Sequence, residues 1–400
     1  MKRLFGICLV TLLLMGSAMT ASAVENEFGG YWRTRALSMQ DFDGTDSGTR
    51  SYVDTRTRLF YTAKFNEKFK FVNKFEIDNS WGDTKGGDIG ADAVNIEVKN
   101  SYADFFVGDH NFKVGIQPGV IARGFLFDDD FSGLTATMKL GTVSVPFMWM
   151  KARDNDITTS SYAISGDADA TDRDYFAISP VFNLNETLSL NPYFLIDKEQ
   201  GTDTMLYYLG ADINAKIDKG KAWGTFILET GEQNDMDTTA FLVAGGADVG
   251  LVHGQIFYAS GDEDGADDDA DAFGLWKGQT YYWSEIMGEG IFDGPQSHNA
   301  PGVGVTNIIA ANVGCKVNPM PKLTLTGDVW YAQLAEEVDM DPNPLVEDME
   351  DVLGFEIDLK ATYMLLDNLQ MDVVGAYLIA GDATGEEDPI ELGMQLSFKF

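Results

Sequence analysis

The sequence predicts an all-β chain, a transmembrane antiparallel β-barrel of about 18 strands with short turns at one end and long acidic loops at the other. Three observations carry that expectation. Long runs alternate apolar and polar residues with period two; the connections between them alternate short and long; the chain ends in an amphipathic run closing on Phe400. Period-two alternation sustained over a dozen residues marks a strand with different solvents on its two faces. Globular strands are usually ~5–6 residues long, whereas a tilted strand crossing a bilayer needs ~9–11.

The clearest runs are in Val53–Trp81. Val53, Thr55, Thr57, Leu59, Tyr61, Ala63 and Phe65 share one face, and Asp54, Arg56, Arg58, Thr62 and Lys64 the other. After the turn Asn66-Glu67-Lys68, the residues Phe69, Phe71, Phe75, Ile77 and Trp81 oppose Lys70, Lys74, Glu76, Asp78 and Ser80. The pattern predicts strands near 27–39, 52–65, 69–81, 94–107, 112–120, 131–140, 143–153, 173–183 and 187–197. It continues near 204–217, 221–230, 238–249, 251–260, 304–318, 321–334, 352–366, 369–380 and 390–400. Gly108–Asn111, Gly141-Thr142, Asp218–Gly220 and Leu366–Asn368 are short connections, while 82–93, 153–172, 261–303 and 335–351 are long. In bacterial outer-membrane barrels the turns are periplasmic and the loops extracellular, so both termini are expected in the periplasm.

Residues 1–23 read as a cleaved secretory signal, and 24–400 as the barrel. Lys2 and Arg3 precede an apolar stretch from Leu4 to Met15, and Ala21-Ser22-Ala23 is an A-x-A-like cleavage site. Localisation in the outer membrane of a Gram-negative bacterium follows. No later window approaches the length of a membrane-spanning helix.

Composition narrows the function. The formal charge of −35 argues against nucleic-acid binding, whose phosphates demand a basic footprint. Past the signal only Cys315 remains, and no CxxCH occurs, so neither a Cys-based metal site nor an attached c-type haem is expected, nor any other cofactor. His110, His253 and His298 have no triad or metal partner at telling spacing, and no nucleophile elbow or phosphate loop is present. An enzyme is not expected.

Four constellations remain. Fifteen of the 28 Lys and Arg residues lie at or before Arg123. Of these, Arg33, Arg35, Arg56, Arg58, Lys70, Lys74, Lys99 and Lys113 fall on inferred lumen faces of neighbouring strands, beside Glu76 and Asp78. Such a ladder either favours anionic solutes or is neutralised by Asp54, Glu76, Asp78 and Glu97 as a stiffening network. Residues 119–133, GVIARGFLFDDDFSG, read as a loop, either folding inward so that Arg123 faces Asp128, Asp129 and Asp130 across a constriction or packing on the rim. Seven carboxylates crowd residues 262–271. An EF-hand is excluded, because counting from Asp267 the required Gly and Glu positions hold Ala272 and Gly278. A loose cation site at Asp262, Asp264, Asp267 and Asp269 competes with a solvated acidic loop. Finally, the apolar segment Tyr281–Met287 is either a short helix lying in a pore mouth or packing for its loop.

Asp54–Asp78, Phe112–Gly133 (FKVGIQPGVIARGFLFDDDFSG) and Tyr258–Asp262 resemble outer-membrane porins of the alginate-export-like group. The resemblance implies a monomeric eighteen-stranded barrel, rather than a trimer, with an Arg/Lys-rich lumen, in contact with membrane lipids. The basic strip confined to early strands and the acidic loops set the chain apart from a polyanion exporter. Passive diffusion of small hydrophilic or charged solutes is the expected function. Two alternatives stand beside it: a sheath around a multihaem cytochrome, and a structural or adhesive surface barrel.

Overall fold

The computed structural model describes residues 24–46, 48–90, 95–154, 172–200, 202, 204–263, 268–274, 277–290, 292–339 and 349–400. The signal expected over 1–23 lies outside them. Twenty strand segments form a single sheet, and two of these, Phe182–Asn183 and Asp269–Ala270, are only two residues long. The remaining eighteen make a closed antiparallel barrel. In order they are β1 (Glu25–Gln40), β2 (Thr49–Asn66), β3 (Phe69–Ser80), β4 (Glu97–Val107), β5 (His110–Ile121) and β6 (Phe127–Leu140). Next come β7 (Val143–Arg153), β8 (Arg173–Ile178), β9 (Leu188–Glu199), β10 (Thr204–Ile217), β11 (Gly220–Gln233) and β12 (Met236–Val249). The last six are β13 (Val252–Ala259), β14 (Ile308–Met320), β15 (Leu323–Asp339), β16 (Met349–Met364), β17 (Leu369–Ala380) and β18 (Ile390–Lys399).

Closure is made by β1 and β18, which pair antiparallel from Tyr31↔Lys399 to Gln40↔Ile390. The ring of pairings is thereby closed, and a closed sheet can satisfy its backbone groups laterally, the condition for crossing lipid. Beyond β8, Ser179–Val181 interrupts the ladder before Phe182 and Asn183 pair with β9. The outward faces are apolar where a water-soluble barrel would be polar. Leu59, Val313, Leu359 and Leu392 are between 42% and 62% exposed. They belong to a continuous belt, and a patch of that extent needs an apolar solvent around it.

The turn end matches expectation, with tight connections at 67–68, 108–109, 141–142, 218–219, 250–251 and 321–322. The loop end departs from it in three places. β11 and β12 join through Asn234 and Asp235 alone, both at positive φ, in place of an extended loop. Residues 119–133 are mostly strand: β5 runs to Ile121 and β6 begins at Phe127, so only 122–126 connect them. Tyr281–Met287 contains no helix. Its backbone amides bind wall carboxylates, so the intrachain bonds of a helix have nothing to add there.

Candidate functional site

The site is the barrel lumen, and two segments fold into it. The first is the distal half of the β5–β6 hairpin. β5 pairs with β4 only as far as Ile116, and β6 pairs with β7 only from Gly133. Residues 117–131 therefore pair strand to strand only with one another. Freed from the wall, the hairpin turns inward, and its tip reaches β10. Arg123 donates to the side-chain oxygen of Asn214, lies 3.8 Å from Asp212 Oδ1, and sits over the Trp223 ring at 4.8 Å. Of the two arrangements open to residues 119–133, the segment folds inward, but Arg123 does not face Asp128–Asp130 and instead reaches Asn214, Asp212 and Trp223. Asp130 stays at the hairpin base, where Asn100 donates to it and Lys99 Nζ is 3.6 Å away. Asp129 accepts from the Asp130 amide, and the Asp128 amide donates to Gly278 O at 2.9 Å.

The tip is held by packing. Phe125 is fully buried, stacked 3.9 Å from Tyr281 and tilted against Phe257 at 5.9 Å. Gly124 has a φ of +98°, and a Cβ there would stand 2.3 Å from Thr280 O. Only glycine tolerates both the left-handed backbone and that approach. Gln279 Nε2 bridges the segments, donating to Phe125 O at 2.7 Å and Val305 O at 3.2 Å.

The second in-folded segment is 278–305, part of the longest loop. Irregular backbone inside a barrel leaves amides without ladder partners, and the lumen wall supplies carboxylates for them. Glu356 on β16, with no exposed surface, accepts from Ile286 N at 2.7 Å and Met287 N at 3.0 Å. Glu229 on β11 accepts from Gly274 N at 2.7 Å and from Tyr208 Oη at 2.8 Å. Burial pushes the Tyr281 phenol up to about 12 and raises the Glu289 carboxyl above its ordinary range. The segment then crosses towards β1 and β18. Phe292, wholly buried, packs with Leu37 and Val374 in a notch opened by Gly393, where a Cβ would come within 2.3 Å of its ring.

Opposite these segments stands the basic wall, and the structure brings its members together. Arg33 and Arg56 are directly paired in register, as are Arg35 and Asp54, Arg56 and Asp78, Arg58 and Glu76. Arg35 Nε is 2.8 Å from Asp54, Arg56 Nη2 is 2.7 Å from Asp78, and Arg58 donates to Glu76. Lys70 pairs with Asp104 at 3.3 Å. Lys74 and Lys113 lie over the rings of Phe60 and Tyr102 at 5.9 and 5.8 Å. The arginines thus form the neutralising network and the ladder at once. Glu97 makes no ion pair among the described residues. A cavity of about 360 Å³ opens above this wall, lined by Arg33, Arg35, Arg56, Asp78 and Lys85.

Several residues that matter here escaped sequence reasoning. Asp293 reaches Arg33 and Arg56, each at 3.3 Å. A second basic cluster on β7 and β8 corrects the expectation that the strip is confined to early strands: Arg173 pairs with Asp197 and Glu199, Arg153 with Glu199, and Lys151 with Asp172 and Asp174. His253 has a carboxylate partner after all, Asp328 at 2.8 Å, in a cavity of about 250 Å³ near the turn end. The β7–β9 ion pairs join neighbouring strands, Lys151 standing opposite Asp174 and Arg173 opposite Glu199, whereas Asp293 comes from a loop and its meeting with Arg33 and Arg56 leaves no mark in spacing. Asp269 lies in the short segment parallel to β12, Asp264 and Asp267 fall outside the described residues, and Asp262 is described. No group of three or more His, Cys, Asp or Glu suited to a metal ion occurs among the described residues.

No protein-family model matches the chain, and no curated protein does. Solved structures do match in fold. The outer membrane protein OprD from Pseudomonas aeruginosa superposes with a TM-score of 0.57 at 11% identity, covering 94% of this chain and 93% of that one. OpdQ from the same organism gives 0.59 at 13%, covering 94% and 99%. OccAB2 from Acinetobacter baumannii gives 0.57 at 12%, covering 94% and 98%. The chain has the fold of these outer-membrane barrels.

Proposed function

We propose that the protein is an outer-membrane channel for passive diffusion of small hydrophilic or charged solutes, with a basic strip along one wall of its path. The observation that carries this reading is the division of the lumen. In-folded segments pack against apolar side chains on the inner face of β7–β16, while charged residues of β1–β3 line the cavity beside Arg33 and Arg56. A charged, wet wall opposite a filled half is the arrangement that narrows a wide barrel to solute size. Residues 117–132 and 278–305 occupy volume that a cytochrome sheath would need for its partner. A closed structural barrel has no use for a row of cations beside an open cavity.

The cleaved signal over 1–23, the periplasmic placement of both termini, the monomeric state and kinship with the alginate-export-like group belong to the same reading. The short-turn end that carries both termini supports the orientation. Planar-bilayer recordings on purified protein test the reading. Stepwise ion conductance with a reversal potential displaced from zero in a salt gradient is expected, and a barrel that inserts without conducting overturns it.

A further inference from the structure

We propose that Asp293 is a built-in competitor for a carboxylate seat formed by Arg33 and Arg56, so that an anionic solute passes by displacing the strap that carries it. The proposal rests on the channel reading and adds to it a residue that sets which anions pass.

The argument starts from charge pairing on the wall. Asp54, Glu76 and Asp78 are engaged by Arg35, Arg58 and Arg56. Among the described residues the one ion pair of Arg33 is with Asp293. The Arg33 side chain is only 7% exposed. A guanidinium that buried needs an anion beside it, since an uncompensated charge out of water is costly. Its counter-ion does not belong to the wall. It comes from a loop residue 260 positions away.

The surrounding geometry is that of a ligand seat with a lid. One carboxylate oxygen of Asp293 stands 3.3 Å from both Arg33 Nη2 and Arg56 Nη1. The other accepts from Tyr282 Oη at 3.1 Å, and the Asp293 carbonyl accepts from Arg35 Nη1 at 2.9 Å. Three arginines thus converge on a single residue of the strap. The Asp293 side chain is 34% exposed, and the two arginines it contacts, Arg33 and Arg56, line the open cavity, so a dissolved anion has access to the seat. Phe292 in its apolar notch fixes the strap's approach, and Gly294 is buried beside Glu391 and Leu37. Guanidinium groups bind carboxylates in a planar, bidentate manner that a spherical ion cannot reproduce. A solute carboxylate is therefore suited to replace Asp293, and chloride is not.

The test uses the full-length protein with Cys315 replaced by Ser, in which Gly294→Cys reports on the strap. Space exists for the new side chain, because the nearest atoms to an added Cβ are 3.7 and 3.9 Å away. Maleimide labelling of that thiol is measured with Asp293 intact, with Asp293→Asn, and with Asp293 intact in millimolar benzoate against the same concentration of chloride. Labelling is expected to be slow in chloride and several-fold faster both in Asp293→Asn and in benzoate. The benzoate arm needs no change at Asp293, so a folding defect of the variant cannot mask the answer. Bilayer recordings run alongside, where Asp293→Asn is expected to shift permeability towards anions. Equal labelling in chloride and benzoate overturns the proposal, whatever the conductance. Absence of conductance with benzoate-dependent labelling overturns the channel reading and leaves the seat standing.

Discussion

Single residues decide how the basic wall behaves. Glu76 is almost fully buried and is held by Arg58, with Arg56 Nε 3.6 Å away as a second cation. Arg56 in addition has Asp78 and Asp293. Neutralising Arg56 alone to Gln removes a cation from the cavity while Arg58 still compensates Glu76. Anion permeability is expected to fall in a barrel that keeps its heat resistance on gels. Neutralising Arg56 and Arg58 together strands the Glu76 carboxylate, and an unsatisfied buried group costs on the order of 1–3 kcal/mol. The double variant should therefore also lose heat stability, by a gel-shift assay across temperature. An unchanged permeability in the stable single variant would remove Arg56 from selectivity. The alternation in β1–β3 put these residues on one face of neighbouring strands, where they stand in register. It left open whether Asp54, Glu76 and Asp78 neutralise them, and it did not reveal Asp293, because pairing depends on which strands lie side by side and which loop descends.

At the scale of elements, two predictions separate the barrel wall from what fills it. Leu59 faces outward, directly opposite Phe75 on β3, whereas Thr62 points inward. Leu59→Arg near mid-bilayer should cost on the order of 2–4 kcal/mol, and Thr62→Arg should be tolerated; equal refolding yields in lipid for both would reverse the assigned faces. The β5–β6 hairpin depends on a different contact. Phe125→Ala removes a fully buried ring stacked on Tyr281, and Phe→Ala in a packed interior costs ~3–5 kcal/mol. The expected result is a protease-sensitive hairpin tip inside a barrel that remains intact, because residues 117–132 contribute no pairing to the neighbouring strands. Loss of the whole barrel would show that the hairpin is structural to the wall. Sequence placed a loop over 119–133, between strands expected near 112–120 and 131–140. The ladder continues through Gly119 and Gly133 and is broken only at the tip, where Gly124 turns the chain.

For the whole molecule, charge is unevenly divided between wall and loops. Residues 262–271 carry seven carboxylates, and such a cluster raises local cation concentration in a salt-dependent way. Replacing them with Asn and Gln is expected to lower cation preference at low ionic strength and to have no effect at high salt. An identical reversal potential at low salt would remove the loop from the mouth. N-terminal sequencing of outer-membrane material is expected to begin at Val24, and recovery of Met1 would contradict the signal.

The sequence by itself determined the barrel. A period of two, tight turns and a last strand ending in Phe400 are local properties, and each long strand must show its apolar side to lipid whatever its neighbours are. That is why the strand number and the turn-end connections were legible residue by residue. The tertiary structure alone decided what occupies the interior. The inward turn of residues 117–132 follows from where β4 and β7 stop pairing, and the path of Tyr281–Met287 from the carboxylate of Glu356, which is 70 residues away from Ile286. The meeting of Asp293 with Arg33 and Arg56 likewise joins a loop to a wall more than 200 positions distant. Such contacts depend on closing the ring, and no periodicity in a linear chain records which of its faces will meet across the resulting space.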